Sequence, residues 1–173
     1  MIIAYTGNGK GKTSAALGTV LRAAGYHKRS CIIQFIKDGS QYGEHHAINH
    51  HLKDFVEVYR AGIGFYKLPG DEHSETDHLK AASEALKYSD KMIKSKKYDI
   101  IVLDEIFTAQ MVDLVNEEEV LKIMKSIPKK LHLILTGRGA TETVIEKCDL
   151  VTEMKEIKHP FQKDEPAVEG IDY

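Results

Sequence analysis

Tryptophan is absent from the 173 residues, cysteine occurs twice and proline four times. The two cysteines, Cys31 and Cys148, lie far apart in apolar contexts. They read as core residues, not as a disulfide or a metal pair, which sets aside the disulfide-stapled class and makes a reducing cytoplasm the expected location. Charge of either sign is not in excess. The formal net charge is -2 and the charged residues are mixed along the chain, so there is no electrostatic footprint for nucleic acid and no polybasic membrane patch. No stretch approaches the roughly 18 consecutive apolar residues of a membrane span. The chain enters a strand and a loop at once, so no signal peptide is expected. No repeat, low-complexity tract or linker is visible, and the length suits one domain, residues 1–173, with a real core.

What is present begins at the N-terminus. Ile2 to Tyr5 is a short apolar run that reads as a buried strand, and Gly7, Gly9 and Gly11 follow, then Lys12 and Thr13 at the start of a helical pattern. Strand, glycine-rich turn and helix N-terminus in that order form a phosphate-binding loop. Glycines let backbone N–H groups converge on an anion, the helix end adds partial positive charge, Lys12 adds a full one, and Thr13 offers a hydroxyl to Mg²⁺. The usual G-x-x-x-x-G-K-[ST] spacing places its first glycine where this chain has Thr6, and Lys10 adds a cation inside the loop. A nucleotide site follows, with a loop variant that argues against ordinary γ-phosphate hydrolysis.

Strands and helices then alternate. Thr13 to Ala24 reads as a helix with Ala15, Ala16, Leu17, Val20, Leu21 and Ala24 on its apolar face, ended by Gly25; Arg22 reads as a surface cation near its C-terminus. Ser30 to Ile36 and Phe55 to Tyr59 read as strands, with a loop at 37–43 and a short helix at 44–52 between them. His46 and His50 are spaced to share a helical face, but with no third ligand in sight the group reads as a solvated histidine-rich surface. In the loop after the third strand, Phe65 and Tyr66 either fold back onto the core or contact a flat ligand. Ser74 to Lys94 is the longest helical pattern, capped by Ser74 and Asp77, with Leu79, Ala82, Ala85, Leu86, Met92 and Ile93 as its stripe.

The second informative stretch is Tyr98 to Glu105, four apolar residues running into Asp104 and Glu105. A carboxylate at such a strand end can orient water or Mg²⁺ opposite the loop threonine. A helix at 117–126, a strand at 131–135, a helical turn or two at 141–147, a strand at 150–154 and an extended tail complete the chain. Arg138, between Gly137 and Gly139, is placed to reach a phosphate. The expected fold is an α/β three-layer sandwich on a mostly parallel sheet, of the P-loop NTPase (RecA-like) type.

Several ordered segments resemble one family, the ATP:corrinoid adenosyltransferases of the CobA/BtuR/CobO type. They are T-G-N-G-K-G-K-T at 6–13, L-R-A-A-G at 21–25, I-I-Q-F-I-K at 32–37, G-x-G-F at 62–65, V-L-D-E at 102–105, L-T-G-R-G-A at 135–140 and D-L-V-T-E-M-K-x-I-K-H-P-F at 149–161. The resemblance implies transfer of the 5′-deoxyadenosyl group of ATP to the Co(I) of a corrinoid, with release of tripolyphosphate. It implies that Gly7, Asn8, Gly9, Lys10, Gly11, Lys12 and Thr13 wrap the triphosphate and that Thr13 and Glu105 hold Mg²⁺ with Asp104 in support. Lys12 and Arg138 would stabilise the leaving group, and Phe65 and Tyr66 would pack beside the corrin and displace its lower ligand. A homodimer and an external reductant such as a flavoprotein are implied as well. Two departures stand out. The family often reads G-F-T-W where this chain has Gly64-Phe-Tyr-Lys67, and many members carry an extension before the first strand. An ordinary P-loop NTPase or small-molecule kinase is the competing reading.

Overall fold

The computed structural model of the chain describes residues 1–37, 42–64, 66–67, 71–163 and 165–172. Six strands form one sheet: β1 (Ile2–Thr6), β2 (Ser30–Gln34), β3 (Val56–Arg60), β4 (Ile100–Asp104), β5 (His132–Thr136) and β6 (Leu150–Glu153). Their order is β3-β2-β4-β5-β1-β6, and every pairing is parallel. Parallel neighbours need crossovers. These are supplied by α1 (Lys12–Ala24), α2 (Gly43–Ala47) with a π-helical turn at Ile48–Leu52, α3 (Glu75–Ser95), α4 (Ile106–Met111), α5 (Glu117–Ser126) and α6 (Glu142–Ile145).

The strand period of two sorts the core into two layers. Ala4, Cys31, Ile33, Ile101, Leu103, Leu133 and Leu135 face α3, α4, α5 and α6, whereas Ile32, Val56, Ile100, Val102 and Ile134 face α1 and the π-helical turn. The sheet is therefore sandwiched between helices, the three-layer architecture expected. Strands β2 and β4 are buried at every position, so truncating Leu103 to alanine would cost about 2–5 kcal/mol. The opposite edge differs: all four residues of β6 are exposed.

Local signals hold at the helix ends. Ser74 and Asp77 cap α3 reciprocally, as Asn116 and Glu119 cap α5. Other expectations are corrected. Leu21 is 59% and Leu79 is 43% exposed, because α1 seats a narrow stripe of Ala16, Val20 and Ala24, and α3 seats His78, Ala81, Ala82, Ala85, Ser89 and Met92. Small side chains bring a helix close to the sheet, and a leucine one position off that stripe has no room beneath it. The strand expected over 30–36 ends at Gln34, and the helix expected over 44–52 is α2 running into the π turn. Helix α4 was not anticipated. Both cysteines are free; burial pushes the Cys31 thiol up to about 12 and the Cys148 thiol up to about 11.

Candidate active site

The glycine loop joins β1 to α1 and is pressed against the chain leaving β6. The Gly9 N–H donates to the Met154 carbonyl at 2.6 Å, and the Met154 N–H donates to the Thr6 carbonyl at 2.8 Å. A Cβ on Gly7 would lie 2.5 Å from the Met154 oxygen, and one on Gly9 would lie 2.7 Å from it. Gly7 also has φ +93°, a left-handed conformation that other residues adopt at a cost. Thr6, where a glycine is usual, is the last residue of β1; its hydroxyl accepts the Ala140 N–H at 3.3 Å and ties this loop to the second glycine loop.

Helix α1 opens at Gly11 with no side-chain cap and no acidic residue in its first turn, which leaves its N–H groups available to an anion. The Lys12 ammonium is folded into the loop, donating to the carbonyls of Gly7 and Gly9 at 2.8 Å each. Burial lowers its pKa. Asn8 is exposed. Lys10 is exposed too, and its ammonium meets the Asp172 carboxylate at 2.6 Å.

The acidic end of β4 comes next to the loop. Asp104 is fully buried. Its Oδ1 accepts from the Thr13 and Thr136 hydroxyls at 2.8 Å each, and its Oδ2 accepts from the Gln34 side-chain amide at 3.3 Å. Lys37 stands 3.6 Å from Oδ2 and donates to Glu44 at 2.9 Å. Burial alone would lower the Lys37 pKa, but Asp104 and Glu44 outweigh it and hold the ammonium above its ordinary value. Glu105 sits at φ 63° as the N-cap of α4. Its N–H is fixed by Thr136 at 2.9 Å, and its carboxylate accepts the Thr108 hydroxyl. Burial, with Asp104 beside it, raises the Glu105 pKa above the usual carboxylate value, and the Thr108 hydroxyl, Lys12 and Lys37 offset that only in part.

Two cavities open here. The first, of about 400 Å³, is lined by the loop residues Lys10 to Ser14 together with Lys37, Glu44, Glu105 and the tail residues Gly170 to Asp172. The second, of about 480 Å³ and more apolar, is lined by Ile36, Tyr42, Tyr66, Met111, Val112 and Arg138. They share Lys37, Glu44, Glu105 and Asp172. A polar cavity on a phosphate-type loop thus adjoins an apolar one across a charged seam, which is the layout for bringing an anionic and a largely apolar substrate together.

The structure brings Thr13 and Asp104 into direct contact and places Glu105 and Arg138 beside the second cavity. Arg138 is exposed, with its N–H bound to the Thr108 hydroxyl at 3.0 Å. Tyr66 is folded back, 9% exposed and 5.0 Å from the His78 ring, while still lining the apolar cavity. Phe65 lies outside the described residues. His46, His50 and His51 are exposed as expected, but His45 is buried. Among the described residues no group of three His, Cys, Asp or Glu could hold a metal by itself. Gln34, Lys37, Glu44, His45, Thr108, Thr136 and Asp172 were not anticipated as parts of the site. Gln34 and Lys37 fall in the 32–37 segment and Thr136 in the 135–140 segment that carry the resemblance, which is the signal that pointed their way; Glu44, His45, Thr108 and Asp172 are brought there by tertiary packing.

A sequence model described as ATP:corrinoid adenosyltransferase BtuR/CobO/CobP matches residues 1–173. A corrinoid adenosyltransferase of a Sinorhizobium species is 34% identical over 174 residues, covering 100% of this chain and 80% of its own. The corrinoid adenosyltransferase of Escherichia coli K12 is 34% identical over 173 residues, covering 100% of this chain and 85% of its own. Corrinoid adenosyltransferase CobA of Salmonella typhimurium is likewise 34% identical over the whole of this chain and 85% of its own.

Proposed function

This chain belongs to the ATP:corrinoid adenosyltransferase family and transfers an adenosyl group from ATP to a corrinoid; we propose that it does so at the seam between the two cavities. The observation that carries this reading is the set of residues common to both, Lys37, Glu44, Glu105 and Asp172. ATP takes the loop cavity with its triphosphate on Gly7, Asn8, Gly9, Lys10, Gly11, Lys12 and Thr13. The corrinoid takes the apolar cavity beside Tyr66, Met111 and Val112. The Co(I) electron pair attacks the ribose C5′, a Co–C bond forms, and the C5′–O bond breaks with its electrons leaving on tripolyphosphate. No side chain is needed as a nucleophile, so the protein contributes positioning and charge stabilisation.

Lys12 must exchange the Gly7 and Gly9 carbonyls for phosphate oxygens, and Lys10 must leave Asp172. Arg138 reaches the leaving group from the second glycine loop. Thr13, Asp104 and Glu105 supply hard oxygen donors to Mg²⁺. Glu105 is half-buried and its pKa stays raised although Lys12 and Lys37 are near, so an added cation would favour its ionised form, and the few protein ligands would fit an ion that completes its shell with phosphate and water. When bound, the ion neutralises charge on the departing polyphosphate. An external reductant, such as a flavoprotein, supplies the electron that makes Co(I), and the enzyme works in the cytoplasm; no helix among the described residues is long and apolar enough to cross a membrane. A homodimer is supported by the apolar side chains exposed on β6 and the tail, Leu150, Val151, Ile157, Phe161, Val168 and Ile171.

The test is anaerobic. Mixing the protein with Mg-ATP and chemically reduced cob(I)alamin should remove the Co(I) absorption, produce a light-sensitive alkylcobalamin spectrum and release one tripolyphosphate per turnover. Lys12→Ala should abolish all three. Orthophosphate or ADP with Co(I) untouched would instead place the chemistry at the γ-phosphate and overturn the proposed arrangement.

A further inference from the structure

Behind Asp104 runs a chain of buried hydrogen bonds that phosphate binding does not call for. Gln34 ends β2, in register with Asp104 of β4, and is 2% exposed. Its amide nitrogen donates to Asp104 Oδ2 at 3.3 Å, and its Oε1 faces His45 Nε2 at 2.8 Å. His45 is 4% exposed, and its Nδ1 accepts the Tyr42 N–H at 3.1 Å. Each link fixes the direction of the next. A carboxylate can only accept, so Gln34 must present its NH₂ to Asp104 and its oxygen to His45. His45 Nε2 must then carry the proton, which leaves Nδ1 as the acceptor that the Tyr42 N–H requires. A flipped Gln34 amide would set oxygen against carboxylate at one end and N–H against N–H at the other.

The same bonds fasten α2 to the sheet. Tyr42 is the N-cap of α2, and Glu44 within it lines both cavities and holds Lys37. We propose that Gln34 and His45 are positioning residues for adenosyl transfer: they lock the rotation of the Asp104 carboxylate so that Oδ1 faces Thr13, and they hold the Glu44–Lys37 wall at the seam between the cavities. Neither touches a substrate in this arrangement; both act through Asp104 and α2. Histidine here works as a neutral, single-tautomer linker. Protonated at Nδ1, it would oppose the Tyr42 N–H and stand among Lys37, Arg60, Glu44 and Asp104. Burial, its largest influence, lowers its pKa, in keeping with that role.

The inference rests on the loop cavity being the nucleotide site. Failure of that assignment would appear as transfer surviving Lys12→Ala, whereas the present inference is read from His45 and Gln34 alone. The first readout is ¹⁵N NMR of the imidazole nitrogens in the full-length wild-type protein, which needs no variant to fold. His45 is expected as a neutral ring protonated at Nε2 at pH 7, and a ring protonated at Nδ1, or at both nitrogens, overturns the proposal. The second readout is steady-state kinetics. His45→Phe and Gln34→Leu should lower kcat about 10–100-fold, as loss of an orienting partner does, with KM for ATP and corrinoid changed less than about threefold. His45→Gln keeps a donor for Gln34 and should return kcat to within about threefold of wild type. If His45→Gln is as impaired as His45→Phe, the ring serves packing only and the proposal falls. It falls equally if His45→Phe and Gln34→Leu turn over at the wild-type rate.

Discussion

Adding one methyl group at two glycines of the same loop-helix unit should have opposite consequences. A Cβ on Gly9 would stand 2.7 Å from the Met154 oxygen and 2.8 and 2.9 Å from the carbonyl carbon and oxygen of Lys155. All three are backbone atoms, so no side chain can swing aside. Ordinary contact begins near 3.4 Å, and the shortfall of about 0.5–0.7 Å must be met by moving the loop or the strand exit. Overpacking of this kind costs about 1–3 kcal/mol. The Gly9–Met154 hydrogen bond, lost in the movement, adds about 0.5–1.5 kcal/mol. Strand β6 is exposed along its length and yields more readily than a core strand, so a total of about 2–4 kcal/mol is the expected range. For a domain of this size that lowers Tm by roughly 4–12 °C. Gly18 lies in α1 with nothing within 4 Å of its added Cβ. There alanine only removes backbone entropy from the unfolded chain, and should stabilise by about 0.5–1 kcal/mol. Thermal unfolding of the ligand-free protein separates the two, and adenosyl transfer adds a second reading. Gly9→Ala should lower kcat/KM for ATP at least tenfold, or about 1.4 kcal/mol, and Gly18→Ala should leave it unchanged. Wild-type Tm and kcat/KM in Gly9→Ala would refute the claim that the β6 exit sets the shape of the loop.

Other outcomes follow from the same geometry. Because burial raises the Glu105 pKa, its ionisation opposes folding: the protonated form is fully favourable below the ordinary glutamate pKa, and stability is lost as pH rises through the folded value. Glu105→Gln should therefore stabilise the metal-free protein at pH 8 and not at pH 4, measured by urea unfolding in EDTA, while adenosyl transfer falls. The Lys10–Asp172 pair is a surface contact, 44% and 27% exposed, worth about 0.2–1 kcal/mol. Asp172→Ala should thus change Tm little yet lower KM for ATP, because Lys10 no longer has to leave a carboxylate; a raised KM would mean that Asp172 serves the substrate. The Cys31 and Cys148 thiols, pushed up to about 12 and about 11, should both resist a thiol reagent at pH 8 in the native protein and both react after denaturation. Glu57 accepts hydrogen bonds from Tyr88 at 2.6 Å and from Tyr98, which lower its pKa. Its contribution is present above the ordinary glutamate value and disappears as pH falls through the folded one, so Glu57→Gln should flatten the acid limb of the stability profile measured by urea unfolding between pH 3 and pH 6.

The glycine loop between strand and helix, the acidic strand end and the alternation of strands with helices were legible in sequence because each is written in contiguous residues. Loop and helix start are coded by Gly7 to Thr13, and the cap at Ser74–Asp77 is coded within four positions. Local backbone chemistry decides such features, so the one-dimensional chain carries them. Resemblance of ordered segments added the reaction, which no spacing of residues could have supplied.

Tertiary structure decided how those pieces meet. Strand β5 enters between β1 and β4, and β2 lies on the far side of β4. That order puts Thr136 and Gln34 on opposite sides of Asp104 and makes Asp104 the partner of Thr13. The left-handed turn at Glu105 separates the directions of two adjacent acids that look alike in the sequence. His45, one of four histidines in a seven-residue stretch, is distinguished from its neighbours only because α2 turns it inward onto β2. Asp172 reaches Lys10 across 162 positions. Contacts of that separation depend on which strands pair and which helix face is covered, and those are settled by burial summed over the whole core.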